Sequence, residues 1–380
     1  MIDKVLEKDC ILCKACATQC PKKCISFSKA YKSFEYPIIN YDECINCNLC
    51  EKVCPSLQEF NQVSPITYYA VKNKNVEILK MSSSGGIFYS LAKKIIEMEG
   101  IVVAARFDDS YNVVHEACTT IDKIKNFCGS KYVQSDLNGC YDLINKYLQI
   151  GKDVLFVGSS CQTAAVHQYF KNNCYRNNLF LVDFICHGIV SDNVFNEYKA
   201  YLEKKFNGKI VRFEFRNKKN GWLFSGLNVE FDNGKVYSSP LSKDLYMQGY
   251  FKNLNLKEAC YTCKYKNFKS QSDITMGDYW DVEKTDPDFY EYYGNSVVVL
   301  NTIKGKKEFD TINCEFDVKE IDLETILSCN KSLIKPFNMS SEREDYFDKA
   351  KKQGYIRPLE KWVKKSFSRR MINKIKSVLK

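Results

Sequence analysis

Cys10-Ile11-Leu12-Cys13-Lys14-Ala15-Cys16-Ala17-Thr18-Gln19-Cys20-Pro21 spells C-x2-C-x2-C-x3-C-P, and the same spacing returns at Cys44, Cys47, Cys50, Cys54 and Pro55. Three thiolates two residues apart wrap one iron–sulfur cube on a tight loop. The fourth Cys, followed by a helix-breaking Pro, points away and reaches a second cube. The doubling therefore predicts two 4Fe–4S clusters that trade ligands between repeats. One falls to Cys10, Cys13, Cys16 and Cys54, the other to Cys44, Cys47, Cys50 and Cys20. The rival readings are two zinc knuckles or disulfides. They fit less well, because zinc ligands come in pairs rather than as a run of four closed by Pro and given twice. A chain with this signature handles electrons.

The chain has 380 residues, more than one core usually serves, so two or three domains are expected. Nineteen cysteines, eight of them in the two runs, suit a reducing cytosol, because thiolates for cluster assembly are oxidised outside it. Residues Met1–Asp9 are short and charged, unlike a secretory leader, and no apolar run approaches the ~18 residues of a membrane span. The expected location is cytoplasmic. The net charge of +10 is uneven: eight Lys or Arg and no acidic residue stand from Lys361 onward. The rest is nearly neutral, which argues against nucleic acid as a partner. In that tail Val363, Phe367, Met371 and Ile375 recur every three or four residues among basic ones, the pattern of an amphipathic cationic helix. Two readings stand: a terminal helix packed on the body with a solvated basic side, or peripheral contact with an anionic membrane surface.

The first sixty residues, 1–60, read as a ferredoxin-type module with strands at Cys24–Phe27 and Ile38–Tyr41, and Asn61–Pro65 as a linker. From 66 to 335 strands alternate with helices, at Tyr68–Val71, Ile87 to Gly100, Ile101–Ala105, Val154–Val157, Leu179–Ile185 and Asp192–Phe206. That alternation argues for an α/β layer arrangement. Period-two segments at Val211–Phe215 and Leu227–Phe231 follow, with Asp232-Asn233-Gly234 as a hairpin turn. Residues 336–380 read as a basic helical tail. The fold class is α+β, a small ferredoxin-like domain before a larger mixed α/β domain.

Several stretches beyond the cysteine runs carry chemistry. Ser82-Ser83-Ser84-Gly85-Gly86 lies between a strand and a helix, where free backbone N–H groups suit a phosphate. Simple helix capping is the competing reading. Gly129-Ser130-Lys131-Tyr132-Val133-Gln134-Ser135 joins a cation, a ring and polar donors, either as a grip on a flavin phosphate or as an ordinary amphipathic turn. Cys161 and Cys186 each follow a buried strand, and Cys260 and Cys263 form C-x2-C. These four suffice for a third 4Fe–4S cluster; a structural zinc or plain burial are the alternatives. His187 is a candidate proton donor or flavin contact, against a structural role. Cys24, Cys118, Cys128, Cys140, Cys174, Cys314 and Cys329 are expected to be inert.

Taken in order, Ser83-Ser84-Gly85-Gly86, Gly129–Ser135, Gly158-x-x-Cys161-Gln162 and Ile185-Cys186-His187-Gly188 resemble the family of coenzyme F420 hydrogenase/dehydrogenase beta subunits. So do Phe215-Arg216-x-Lys218-x-x-Gly221-Trp222 and the run from Cys260 and Cys263 to Asp278. Ser159-Ser160 depart from the Thr-Pro frequent in that family. The resemblance covers about residues 66–335 and implies a flavin-binding domain, with FAD between the serine–glycine loop and Gly129–Ser135. Site residues on that reading are Ser83, Ser84, Gly85, Gly86, Ser130, Lys131, Tyr132, Gly158 and His187. It also implies a cluster near the flavin on Cys161, Cys186, Cys260 and Cys263. The implied activity is an FAD- and iron–sulfur-dependent oxidoreductase between a ferredoxin or other redox donor and a small-molecule acceptor. A deazaflavin, a polysaccharide-pathway compound and other metabolites are the candidates for that acceptor. The alternative is a non-catalytic subunit relaying electrons to a partner enzyme. Arg216, Lys218 and Trp222 are candidates to line the substrate entrance, with a surface role as the competing reading for the two basic residues.

Overall fold

The protein is described by a computed structural model over residues 2–29 and 31–363. At the N-terminus, β1 (Ile25–Lys29) and β2 (Glu35–Ile39) form an antiparallel ribbon between the two cysteine loops. Each loop turns into a short helix, Ala15–Gln19 or Leu49–Lys52. The repeats share a backbone signature. Leu12 and Lys14 have φ of 56° and 62°, and the equivalent Asn46 and Asn48 have 53° and 58°. Asn tolerates this left-handed region; Leu and Lys do so only where the surroundings enforce it. What the loop gains is an inward-turned amide, as in the Leu12 N–H donating to Cys10 Sγ at 3.4 Å.

Behind the module lies an eight-stranded sheet. Its strands are β3 (Thr67–Asn73), β4 (Ile101–Phe107), β5 (Val113–Cys118), β6 (Val154–Ser159), β7 (Leu179–Phe184), β11 (Ile274–Asp278), β12 (Ser296–Leu300) and β13 (Phe316–Glu320). They run in the order β13-β3-β12-β11-β7-β6-β4-β5. The centre, β11-β7-β6-β4, is parallel, and antiparallel strands close both sides. Buried on both faces, the central strands read as continuous apolar runs rather than alternating ones, as Val154-Leu155-Phe156-Val157 does. A separate three-stranded sheet is built from β8 (Ile210–Asn217), β9 (Gly226–Phe231) and β10 (Val236–Pro240), with β9 in the middle. It packs its alternate apolar residues against helix Asp192–Phe206.

The expected strands and helices between 66 and 237 are present, with one local difference. The helix Ile87–Glu97 ends through Glu99 at φ 59°, not through Gly100. Gly100 is needed instead for closeness, since a Cβ there would stand 2.7 Å from the Asp153 carbonyl. Strand β5 and strands β11 to β13 fall where sequence reading assigns no element. Helix Arg343–Gln353 packs on the body through Tyr346 and Phe347, with the Arg343 side chain fully buried. The cationic helix expected over the last residues lies mostly outside the described ones. Among those described, no helix is long and apolar enough to cross a membrane.

The ferredoxin-type module is docked closely. Ile11, Cys13, Ala15 and Val53 belong to the same core cluster as Tyr141, Phe156, Ala165 and Tyr265 of the large unit. The Tyr141 hydroxyl donates to the Cys13 carbonyl at 3.0 Å, and Lys264 Nζ to the Ser56 carbonyl at 3.0 Å.

Candidate functional site

Three groups of cysteines gather in the fold. In the first, burial pushes the Cys13 thiol up, and the sulfurs of Cys54, Cys16 and Cys10 add to it. Cys54 comes from the second repeat, so the expected exchange of ligands is spatially available. In the second group Cys20 Sγ lies 3.4 Å from Cys24 Sγ, and Cys44 acts on Cys24 as well. Cys24, expected to be inert, thus stands among the cysteines of the outer set. Cys47 of that set is exposed, whereas Cys13, Cys16 and Cys54 are buried. The inner set packs towards the large unit, while the outer set has Cys20 and Cys50 buried, Cys44 half-buried and Cys47 exposed.

The third group is assembled from distant parts of the chain. Cys161 sits in the first turn of helix Ser160–Tyr169, Cys186 follows β7, and Cys260 and Cys263 flank the turn after Glu258–Cys260. Burial raises the Cys260 thiol, and Cys186, Cys161 and Cys263 raise it further, which brings all four into one neighbourhood. Lys266 donates to the Cys186 carbonyl. A cube spreads its ligands more widely than a single ion does. Among the described residues, no three His, Cys, Asp or Glu side chains are gathered as a single-ion site.

The carboxyl ends of parallel strands form a crevice in open α/β sheets. Here that end carries a cavity of about 550 Å³, within the ordinary range for cofactor sites. Ala105 of β4, Gly158 and Ser159 of β6, Cys186 beyond β7 and Asp278 of β11 all wall it. Ser83, Ser84, Gly86, Ser130, Lys131, Tyr132, Gly158 and His187 also line it, so eight of the nine expected flavin residues converge. Gly85, the ninth, packs beneath: a Cβ there would lie 2.6 Å from the Val71 carbonyl and 2.8 Å from the Ser296 amide. The two loops meet where Ser130 Oγ donates to Ser83 Oγ at 2.9 Å. Ser84 Oγ and the Gly85 amide both bond Ser296 Oγ at 2.7 Å.

Some side chains are used otherwise than expected. Lys131 Nζ donates to the carbonyls of Phe127, Cys128 and Gly129 at 3.0–3.2 Å, closing its own loop. Burial pushes its pKa down to about 8. Arg216, Lys218 and Trp222 do not line the cavity. Arg216 Nη1 and Trp222 Nε1 hold Asp278 at 3.0 and 3.1 Å, and Trp222 stacks on Trp280. Asp278 and Trp280 are the residues that reach the wall. Lys218 ties Leu79, Ser84 and Tyr293 carbonyls together, and burial lowers its pKa to about 7. All three support the wall: Lys218 and Trp222 spend their donors within the protein, and Arg216 does so through Nη1, while its Nε and Nη2 are buried without a hydrogen-bond partner among the described residues. His187 Nε2 meets Asn253 Oδ1 at 2.7 Å and its ring stacks on Phe337 at 4.0 Å.

His115, unremarked in the sequence, lines the same cavity with Nε2 at 3.1 Å from the Val157 carbonyl. That bond makes Nδ1 the acceptor, and Nδ1 and Ser82 Oγ are buried without a hydrogen-bond partner among the described residues. A cavity whose lining combines hydroxyls, a helix first turn, aromatic rings and unsatisfied polar atoms fits a dinucleotide with a flat ring. A lone histidine in an alternating strand carries no spacing signal, which is why it escapes sequence reading.

Residues 151–324 match the family model for the C terminus of the coenzyme F420 hydrogenase/dehydrogenase beta subunit, and residues 9–57 the 4Fe-4S dicluster domain. The chain joins these two domains. The family resemblance in the sequence is therefore borne out. The chain is 34% identical to an uncharacterised polyferredoxin-like protein of Methanocaldococcus jannaschii, over 20% of this chain and about half (49%) of that protein. It is 23% identical to a subunit of the F420H2 dehydrogenase of Methanosarcina mazei, over 84% of this chain and 87% of that one. A component of the F420-reducing [NiFe] hydrogenase complex from Methanosarcina barkeri superposes with a TM-score of 0.49 at 19% identity, covering 76% and 92% of the two chains.

Proposed function

We propose that this chain is an iron–sulfur flavoprotein oxidoreductase. On this reading it takes electrons from a ferredoxin or similar donor through the dicluster module, residues 1–60, and delivers them to FAD in the cavity of the unit spanning 66–335. A small organic acceptor completes the path. One observation carries the reading: Cys186 walls the cavity and belongs to a four-cysteine group, and Tyr265 neighbours both that group, through Cys161, and the Cys13 and Cys54 loop. Three cysteine groups and a cofactor-sized cavity thus lie in series.

Bound in these places, the clusters carry single electrons and the flavin adapts them to two-electron chemistry. The chain supplies the holders. Cys10, Cys13, Cys16 and Cys54 hold the inner cluster, Cys20, Cys44, Cys47 and Cys50 the outer, and Cys161, Cys186, Cys260 and Cys263 the third. Ser83, Ser84, Gly86 and Ser130 offer hydroxyls and backbone amides to the pyrophosphate, on the rigid base that Gly85 and Ser296 make. Lys131 keeps the Gly129–Ser135 loop in shape. Tyr132, Gly158 and His187 bound the ring, with His187 held in one orientation by Asn253. A deazaflavin is the first acceptor to try, since two relatives carry F420 in their names.

The test is anaerobic reconstitution followed by iron, sulfide and flavin analysis, then dithionite reduction and challenge with acceptors. About twelve irons and one FAD per chain are expected from three cubes, with reoxidation by a small acceptor. About eight irons would remove the third cluster, and absence of flavin would overturn the reading. The second reading, relay to a partner enzyme, draws on the relatives being named as subunits. It prevails if flavin and clusters assemble but only a co-purifying protein reoxidises them.

A further inference from the structure

Between the inner cysteine set and the third one lies the junction of the two units, and a fully buried lysine stands in it. Lys257 is 1% exposed, and its Nζ has no hydrogen-bond partner among the described residues. The ammonium stands over the faces of Phe34 and Tyr36, 4.4 and 5.0 Å from the ring centroids. Both rings belong to the ferredoxin-type module, whereas Lys257 itself belongs to the large unit. Its backbone is fixed at both ends, by its amide donating to the Ile189 carbonyl at 2.9 Å and its carbonyl accepting from the Cys260 amide at 3.0 Å.

An amine in such a place is costly, since burying an ammonium without a counter-charge is strongly unfavourable and ring faces offset only part of that. A Leu or Met would fill the space without the penalty. Burial lowers the Lys257 pKa, and the groups whose charge opposes this are Cys10 of the inner set, then Cys260 and Cys161 of the third, with Asp192 the weakest. Cys10 in turn is acted on by Lys257 ahead of any other charge. The opposite charge this lysine meets is therefore mainly sulfur, from two different cysteine sets. A 4Fe–4S cube with four thiolates is a net anion, and reduction adds one more negative charge.

We propose that Lys257 is the counter-cation shared by the inner ferredoxin-type cluster and the third cluster, favouring the reduced form of both so that an electron crosses the junction. This rests on the reading of Cys161, Cys186, Cys260 and Cys263 as cluster ligands. Lys257 touches no substrate and is not a catalytic residue. The outer cluster, on the far side of the inner one, lies beyond its main influence, because interactions with a single charge fade with distance and screening.

The test is a redox titration of the reconstituted full chain, followed by electron paramagnetic resonance, in wild type and in Lys257→Met and Lys257→Arg. Lys257→Met lowers the midpoint potentials of the inner and third clusters by about 59 mV or more, tenfold in each reduction equilibrium, and leaves the outer cluster's signal in place. Lys257→Arg restores both. If Lys257→Met fails to load the junction clusters, loading by Lys257→Arg supports the proposal, whereas equal failure of both variants overturns it by making shape, not charge, the requirement. Unchanged potentials in a fully loaded Lys257→Met protein overturn it outright. Wild-type protein with about eight irons would instead remove the third cluster itself, which tells the two failures apart.

Discussion

His115 is the residue that most clearly separates what a strand pattern discloses from what a cavity demands. Its ring stacks on Phe156 at 5.2 Å, and burial pushes its pKa down to about 4. An unfolded histidine titrates near 6.5, so as the pH falls the unfolded chain takes up its proton first. The contribution is therefore fully present above about pH 6.5 and lost progressively down to about 4, with about 2 kcal/mol of it going between pH 7 and 5. His167, half-buried and lowered to about 4, adds in the same direction. Urea denaturation at those two pH values checks this: His115→Gln should lose distinctly less stability than wild type on acidification. Equal losses would mean that other groups govern the acid response. At this same scale the twelve candidate cysteine ligands were all nameable in advance, because thiolate spacing is itself chemistry. Lys218, read as lining the entrance or as a surface cation, instead spends its donors on carbonyl oxygens nearby, which composition cannot disclose, and Lys131 lines the cavity while also closing its own loop.

At the scale of elements, the serine–glycine loop ties the cavity to the sheet. Gly85 lies against the Val71 carbonyl and the Ser296 amide, backbone atoms of β3 and β12 that cannot move without disturbing strand pairing. Gly85→Ala should cost about 1–3 kcal/mol as overpacking and draw the loop off its base. Flavin affinity is then expected to fall about tenfold or more, as a penalty of that size implies. Iron content should stay as in wild type, because no cysteine set touches this loop. Flavin and iron per chain, measured together, test it, and a variant that retains FAD with normal affinity would show that the loop is not the phosphate cradle. The loop was legible because serine and glycine ahead of a helix have a physical meaning, although the helix Val76–Met81 that precedes it was not read. Strand β12 was not read, since Val297-Val298-Val299-Leu300 has no period to distinguish a buried strand from a helix. Strand β13 exposes four of its five residues and so carries no apolar pattern.

Over the whole molecule, the two cysteine runs are local in sequence, whereas the other four candidate ligands, nameable one by one, are brought together only by the fold. Cys161, Cys186, Cys260 and Cys263 come from three separate segments, and Lys257 and Tyr265 acquire meaning only at a junction between units. That junction also sets how the protein should come apart without iron. Ile11, Cys13, Ala15 and Val53 share a core with the large sheet, but Ile2, Cys16, Cys20, Cys24, Ile25, Cys50 and Cys54 form a small core of their own in which cysteine predominates. A core of thiols has little apolar area to bury, so the metal supplies most of its order, as in small metal-dependent domains. Anaerobic chelation of iron should therefore release residues about 20–50 first, as rapid hydrogen exchange there, while β4, β6 and β7 keep their protection. The Cys10–Cys16 loop should fall between these extremes, held by Tyr141 and Tyr265 after its cluster has gone. Simultaneous loss of protection in the ribbon and the central sheet would mean instead that the two cores form a single cooperative unit, with the clusters sustaining both.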